Sequence, residues 1–322
     1  MSHLVETMAY AGNTPWHGLG NHLSSKQPLE TWLKEAGMSW QINESPVQFA
    51  ADPVDDQCPI HSFPEQKVLY RSDTKEALSV VSQRYQVVQP REVLEFYRDL
   101  TERSGYELET AGVLKGGRKL WALARTGQSI TLKGNDVVNG YLLLATSCDG
   151  TLATTATPTT VRVVCNNTLT IAVNGASQAI KVPHSTRFDP RVVKQQLGIA
   201  VSQWDDFMYR MRTLAARPVK AHEAKDYLQS VLCEPLTDRP ERNNLSNGKA
   251  LNKVMRMYEG QGRGAELEAA KSTAWGLLNA VTEYIDHERR ARNNEYRMDT
   301  AWFGQGALIK KRALSTALRL VA

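Results

Sequence analysis

An α+β fold is predicted, with an antiparallel β-sheet of hairpins in the N-terminal half and a helical C-terminal half. Three observations carry this. Before His184, short runs rich in β-branched and aromatic residues are separated by glycine-containing turns. After His184, the apolar residues recur about every 3.6 positions. Sheet precedes helices instead of alternating with them, which argues against repeated βαβ units. The expected division is residues 1–186 as a mainly β-sheet core with short helices, and 187–322 as a helical region packing on that sheet. A chain of 322 residues accommodates either two domains or one continuous one.

Gln27-Pro28 opens a short helix that places Leu29, Trp32, Leu33 and Ala36 on one face and ends at Gly37. Val47–Ala50, Lys67–Arg71 and Leu78–Gln83 read as strands, the last two pairing across Ser72-Asp73-Thr74-Lys75. Asp52–Pro64 is polar and interrupted by proline, and reads as a loop. Pro90 opens a second helix with Val93, Tyr97 and Leu100 inward and Gly105 at its end. Two hairpins follow. Tyr106–Leu114 and Leu120–Arg125 flank Lys115-Gly116-Gly117-Arg118, and Val137–Ser147 and Leu152–Val164 flank Cys148-Asp149-Gly150-Thr151; paired Gly and Asp-Gly accept the positive φ of tight turns. Asn167–Val173 reads as a short helix and Ala179–Pro183 as a strand. Asp189-Pro190 then supplies an N-cap and first-turn proline to a helix burying Val193, Leu197, Ala200, Trp204, Met211 and Leu214. Further helices are expected at 219–232, 246–259, 272–291 and 305–320, with connections at 234–247 and 260–264. The latter, Gly260-Gln261-Gly262-Arg263-Gly264, reads as a mobile connector because no strand precedes it as a phosphate cradle would require.

Composition is that of a globular protein, with 42% hydrophobic and 23% charged residues. No apolar run is long enough to cross a bilayer, and the polar N-terminus lacks the apolar stretch of a signal peptide, so a cytoplasmic location is expected. The 4 cysteines, Cys58, Cys148, Cys165 and Cys233, are scattered without a Cys-x-x-Cys pair, a poor framework for zinc or disulfides. Charge is uneven: residues 187–322 carry 23 Lys/Arg against 16 Asp/Glu, whereas the first 186 carry 16 against 18. A basic second half suits a polyanionic partner; solvated helix faces are the plainer alternative.

Signature motifs of nucleotide-binding enzymes, serine hydrolases and zinc proteases are absent, and no catalytic residue, metal ligand or cofactor is assigned. Cys165 beside Asn166 and Asn167, with His184 downstream, allows a thiol nucleophile in principle. Packing and backbone capping explain those residue types equally well. Trp16-His17-Gly18-Leu19-Gly20-Asn21-His22 offers two imidazoles without a third ligand in the vicinity. On the strand Thr159–Val164, alternation puts Thr160, Arg162 and Val164 on a solvent-facing side, opposite a core side of Val161, Val163 and Cys165. Arg162 is thereby expected at the surface. With Lys115, Arg118 and Lys119 at a hairpin tip, Lys133 in a loop, and Arg187 and Arg191 near the crossing into the helices, it forms a candidate phosphate-binding set. A second candidate region is the basic end of the 272–291 helix, Arg289, Arg290 and Arg292, together with Lys310, Lys311 and Arg312. Trp275, Leu278, Val281, Tyr284 and Ile285 read as a core stripe.

Three motifs in order, Trp16-His17-Gly18-Leu19-Gly20, the run Thr157–Thr168 and Asn279-Ala280-Val281-Thr282-Glu283-Tyr284, give the chain a resemblance to a family of uncharacterised phage- and plasmid-borne proteins. It extends over nearly the whole chain. Its typical residues fall here on Trp16, His17, Gly18, Gly20, Cys165, Asn166, Asn167, Asn279 and Tyr284. The resemblance implies a mobile genetic element in a bacterial host cell and carries no reaction. A hairpin core followed by a long helix is also similar in architecture to single-strand annealing proteins, which are non-enzymatic and assemble into rings or filaments.

The expected function is sequence-independent binding or annealing of nucleic acid, single-stranded DNA above all, in recombination or replication of a phage or plasmid, by a possible homo-oligomer without membrane contact. The alternatives are a protein-binding regulator or anti-defence factor of the element, and an enzyme built on Cys165, Asn166, Asn167 and His184.

Overall fold

The computed structural model describes residues 7–12, 20–52, 59–164, 167–170, 172–173, 176–177, 179–201, 204–233 and 244–321. Its described elements are α+β, as the sequence predicts, with the strands in the first half and six of the nine α-helices beyond residue 200. The chain forms two compact units that interleave in sequence. The first takes residues 1–126, 142–157 and 179–197; the second takes 127–141, 158–178 and 198–322.

The first unit begins with β1 (Thr7–Ala11), β2 (Asn21–Leu23), α1 (Leu29–Glu35), β3 (Ile42–Ala50), β4 (Ile60–Arg71), β5 (Ala77–Ser82), α2 (Pro90–Ser104) and β6 (Glu107–Leu114). β7 (Lys119–Leu132), β8 (Asp136–Ser147) and β9 (Thr154–Arg162) each contribute one end to this unit. β1 runs parallel to β2 and antiparallel to β6, while β6 and β7 form the hairpin predicted across Lys115-Gly116-Gly117-Arg118. Gly116 and Gly117 take φ of 67° and 103°, values that favour glycine. The helices bury Trp32 and Leu33 from α1 and Val93, Phe96 and Tyr97 from α2, in one cluster with Leu120 and Leu144 of the sheet. Tyr97 lies wholly inside. Its hydroxyl accepts the Leu144 N–H at 2.8 Å and faces the carbonyl oxygens of Ala122 and Leu142, so burial leaves the polar tip bonded.

β3, β4 and β5 form a separate three-stranded sheet. The stretch 52–64, expected as a loop, instead ends in strand: β4 starts at Ile60, and Val47, Phe49 and Ala50 pair with Phe63, His61 and Ile60. β5 pairs with β4 only from Gln66 onward, so residues 47–50 and 60–63 form a two-stranded arm. Its apolar side chains stand in solvent, with Ile60 70%, Phe49 51% and Phe63 40% exposed.

The second unit holds the other ends of β7, β8 and β9, then β10 (Asn167–Thr170), β11 (Ala172–Val173) and β12 (Ala176–Ser177). Residues 167–170 and 172–173 are therefore strand where a short helix is expected: residues 167–170 turn back antiparallel on 159–162. β13 (Ile180–Val182) belongs to the first unit and pairs there with the start of β9. The helix expected after Asp189 is described as α3 (Pro190–Val201) and α4 (Trp204–Ala216), and residues 202–203 between them lie outside the described residues. α5 (Ala221–Cys233), α6 (Asn244–Arg256), α7 (Ala274–Glu283), α8 (Asn294–Phe303) and α9 (Gln305–Arg319) follow. π-helical turns extend α6 over Met257–Gln261 and α7 over Tyr284–Glu288. α8 is an element the sequence reading missed.

α4 buries Trp204, Phe207, Met208, Met211, Leu214 and Ala215, one face at helical spacing. α7 is different, being buried along its whole length. Thr273 caps it by accepting the Gly276 N–H at 3.1 Å. Gly276 is required there because a Cβ would run into the Ala270 carbonyl. A helix enclosed on every side must satisfy its polar side chains internally, and those side chains form the site below.

Candidate functional site

The polar residues of α7 and its extension recur at Trp275, Asn279, Glu283 and Asp286, and each meets a partner from a distant segment of the same unit. Asp136 opens the described run of β8 after the turn Lys133-Gly134-Asn135, and Arg162 ends β9. The Arg162 Nε lies 2.8 and 2.9 Å from the two Asp136 oxygens and one terminal nitrogen 2.7 Å from Oδ2. Two further guanidinium hydrogens go to the carbonyl oxygens of Arg263 (3.3 Å) and Gly264 (3.0 Å). Trp275 Nε1 donates to Asp136 Oδ2 at 2.9 Å, and its ring centroid lies 6.0 Å from the guanidinium carbon. Arg162 is 3% exposed and Asp136 0%. Two charges so thoroughly removed from water persist only because hydrogen bonds surround them.

Asn167 donates from Nδ2 to the Asn279 carbonyl at 3.2 Å, so its Oδ1 is the acceptor facing His287 Nε2 at 3.1 Å, and that nitrogen carries the proton. Asn279 turns its own Nδ2 to the Trp275 carbonyl at 2.8 Å, and Thr282 bonds the Asn279 carbonyl at 3.0 Å. Asp286 accepts the Thr168 N–H at 2.8 Å and pairs with Lys310 Nζ at 2.7 Å, while Lys310 also donates to the Thr168 hydroxyl. Lys310 is 6% exposed. Glu283, also buried, accepts the Arg263 N–H at 3.0 Å. Burial pushes its carboxyl pKa up, outweighing the lowering pull of that N–H and of the Arg263 and Arg162 charges. Between Thr160, Arg162, Asn167, Trp275 and Asn279 lies a small cavity with room for about one water molecule.

These contacts correct the sequence reading at three points. Arg162 and Thr160 are buried and Val163 is exposed, the reverse of the expected facing, while Val164 is exposed as expected. β9 ends at Arg162, and beyond a strand's end alternation no longer assigns sides. The glycine-rich connector 260–264 is pinned, by Arg162 on its carbonyls and by Glu283 on its N–H. Lys310 is spent on Asp286 instead of standing at the surface. Lys119 is likewise buried.

The remaining candidate cations divide between the units. In the first, Lys115 is half-buried, Arg118 is exposed and donates to the Leu78 carbonyl, Arg187 is exposed, and Arg191 is exposed beside Asp189 at 3.4 Å. In the second, Lys133 and Lys311 are exposed, and Arg312 is half-buried with a bond to the Val231 carbonyl. His184, in the first unit, stacks on Tyr85 at 4.3 Å and has both ring nitrogens 3.0 Å from backbone carbonyl oxygens, of Gln86 and Leu152. Cys58, Cys165, Asn166, Trp16, His17 and Gly18 lie outside the described residues. Gly20 lies inside, with φ of 105° and a close approach to Met8 that no Cβ would allow. Cys148 and Cys233 are free thiols; burial pushes Cys148 up to about 12, too high for a nucleophile at neutral pH.

A second feature was only half legible. Lys249, Lys253 and Arg256 lie at i, i+4 and i+7 on α6, one stripe of that helix. Lys253 Nζ pairs with Glu288 at 2.6 Å, setting the stripe beside the corner 288–292 with its Arg289, Arg290 and Arg292. Lys249, Arg256, Arg290 and Arg292 are exposed. No acid occurs in 249–256 or 289–292. The sequence reading had the three arginines and missed the α6 stripe, whose spacing was the available signal.

The buried pair, the α7 asparagine and the basic corner all fall within residues 77–302, which match the family model described as Domain of unknown function (DUF932). The chain belongs to that family. Within this DUF932 domain, two of the motifs singled out in the sequence meet directly, through the Asn167–Asn279 hydrogen bond. Lys310, Lys311 and Arg312 lie beyond it. No curated protein and no solved structure matches the chain. Among the described residues there is no group of three or more His, Cys, Asp or Glu able to hold a metal ion, and no helix long and apolar enough to cross a membrane.

Proposed function

We propose that the protein binds nucleic acid without regard to sequence, single-stranded DNA above all, through the basic corner of its helical unit. The observation that carries this is the meeting of the Lys249-Lys253-Arg256 stripe with Arg289, Arg290 and Arg292 across the Lys253–Glu288 pair, with Lys249, Arg256, Arg290 and Arg292 facing water. Polyphosphate is the natural counterpart of such a surface: each phosphate neutralised releases condensed counterions, and the contacts carry no base information. On this reading the polar centre around Arg162 is scaffold, and the phage and plasmid resemblance supplies the setting, recombination or strand annealing on a mobile element. Titrating a labelled single-stranded oligonucleotide at two salt concentrations tests it. With about six phosphates engaged, the logarithm of the binding constant falls by about four per decade of salt. The double variant Arg290→Glu/Arg292→Glu flattens that slope while leaving the thermal unfolding curve in place. Absence of binding by the parent chain at low salt removes the proposal.

A second reading, a protein-binding regulator, is favoured by the exposed apolar arm of Phe49, Ile60 and Phe63. It predicts a stoichiometric protein partner lost on Phe49→Ser/Phe63→Ser, with nucleic-acid binding untouched.

A further inference from the structure

An aromatic side chain borders the basic corner. Tyr296 sits in the first turn of α8, where the Asn293 side chain accepts its backbone N–H at 2.9 Å. The cap fixes where the side chain leaves the backbone. Tyr296 is 37% exposed, and the Arg292 guanidinium carbon lies 5.4 Å from its ring centroid, within cation–π range. Arg289, which precedes it at the corner, faces the side-chain oxygen of Gln305 at 3.4 Å. A ring oriented by a guanidinium and bordered by cations offers a single strand both things it can give, phosphates to the charges and a base face to the ring. A duplex keeps its bases stacked on one another and has only the phosphates to offer.

We propose, resting on the nucleic-acid reading above, that Tyr296 is a base-stacking platform and the residue that makes the corner prefer single-stranded to double-stranded nucleic acid. The test compares the parent chain with Tyr296→Ala and Tyr296→Phe, using a labelled oligothymidylate and a duplex carrying the same number of phosphates. Tyr296→Ala weakens oligothymidylate binding about 5- to 150-fold, the range for loss of one base–aromatic stack, and leaves duplex binding within about two-fold, since phosphate contacts persist. Tyr296→Phe keeps the ring and binds like the parent. Equal weakening on both DNAs, or no weakening on either, overturns the platform and leaves phosphate binding standing. Failure of the parent to bind either DNA at low salt overturns nucleic-acid binding itself, and the platform with it.

Discussion

In the polar centre, Arg162 is 3% exposed, faces Asp136 through three N···O approaches of 2.7–2.9 Å and gives two further hydrogens to backbone carbonyls. At the corner of the same unit, Arg290 is exposed in a segment without acids. The side chains are chemically identical; solvent makes them different. A guanidinium taken out of water with a carboxylate holds the fold together, because removing either partner strands a charge in a medium that cannot solvate it. A guanidinium left in water contributes little to stability and keeps its donors for a ligand. Formal charge along a sequence therefore says nothing of function until burial divides the cations.

The sharpest way to break this contrast is at Asp136. Replacing it by Ala leaves Arg162 buried and unpaired and also strips the Trp275 indole of its acceptor, so urea unfolding should show a loss of about 3–5 kcal/mol. Replacing both Asp136 and Arg162 by Leu should recover part of that loss, since two apolar groups of similar volume strand no charge. A single Asp136→Ala variant as stable as the parent would mean the pair is wetter than its burial indicates. A smaller effect is expected at Glu283. Its folded pKa is raised above the ordinary 4.5 by burial. Such a carboxyl favours the folded chain fully below the unfolded value, and that contribution disappears as pH rises through the folded value. Glu283→Gln, which stays neutral and keeps an acceptor for the Arg263 N–H, should exceed the parent's urea midpoint at neutral pH and converge with it on acidification. Convergence in the opposite direction would show that the Arg162 and Arg263 charges dominate burial. Smallest of all, Phe49→Ser on the arm should change stability by no more than about 0.5 kcal/mol, as its ring is already half in water.

Much of the architecture was legible because it is local. Paired glycines at 116–117 and Asp-Gly at 149–150 announce turns whatever surrounds them. The stripe Trp275, Leu278, Val281 and Ile285 announces a buried helix face. What was illegible depends on partners far along the chain. Arg162 and Thr160 read as a wet strand face because nothing near them reveals that a carboxylate from β8 and an indole from α7 lie over them. Asn279 and Asp286 lie off the apolar stripe of their helix, and nothing local reveals that α7 has no wet side. α8 went unseen because Arg289–Asn293 looks like a helix end, and its start is set by Asn293 acting as an N-cap, a signal hidden among polar neighbours. The site's outline was visible through the motif asparagines, its interior was not.

The sequence separation within this centre also sets an order of events during synthesis. Asp136 and Trp275 are 139 positions apart, and ribosomes add about 5–20 residues per second. The carboxylate and its arginine thus leave the ribosome on the order of 10 s before the helix that encloses them exists. Until then the Asp136–Arg162 pair lacks the indole that covers it. A fragment ending before α7 leaves the pair in that state permanently, so dissection of this protein must follow its interleaved units and not a single cut in the chain.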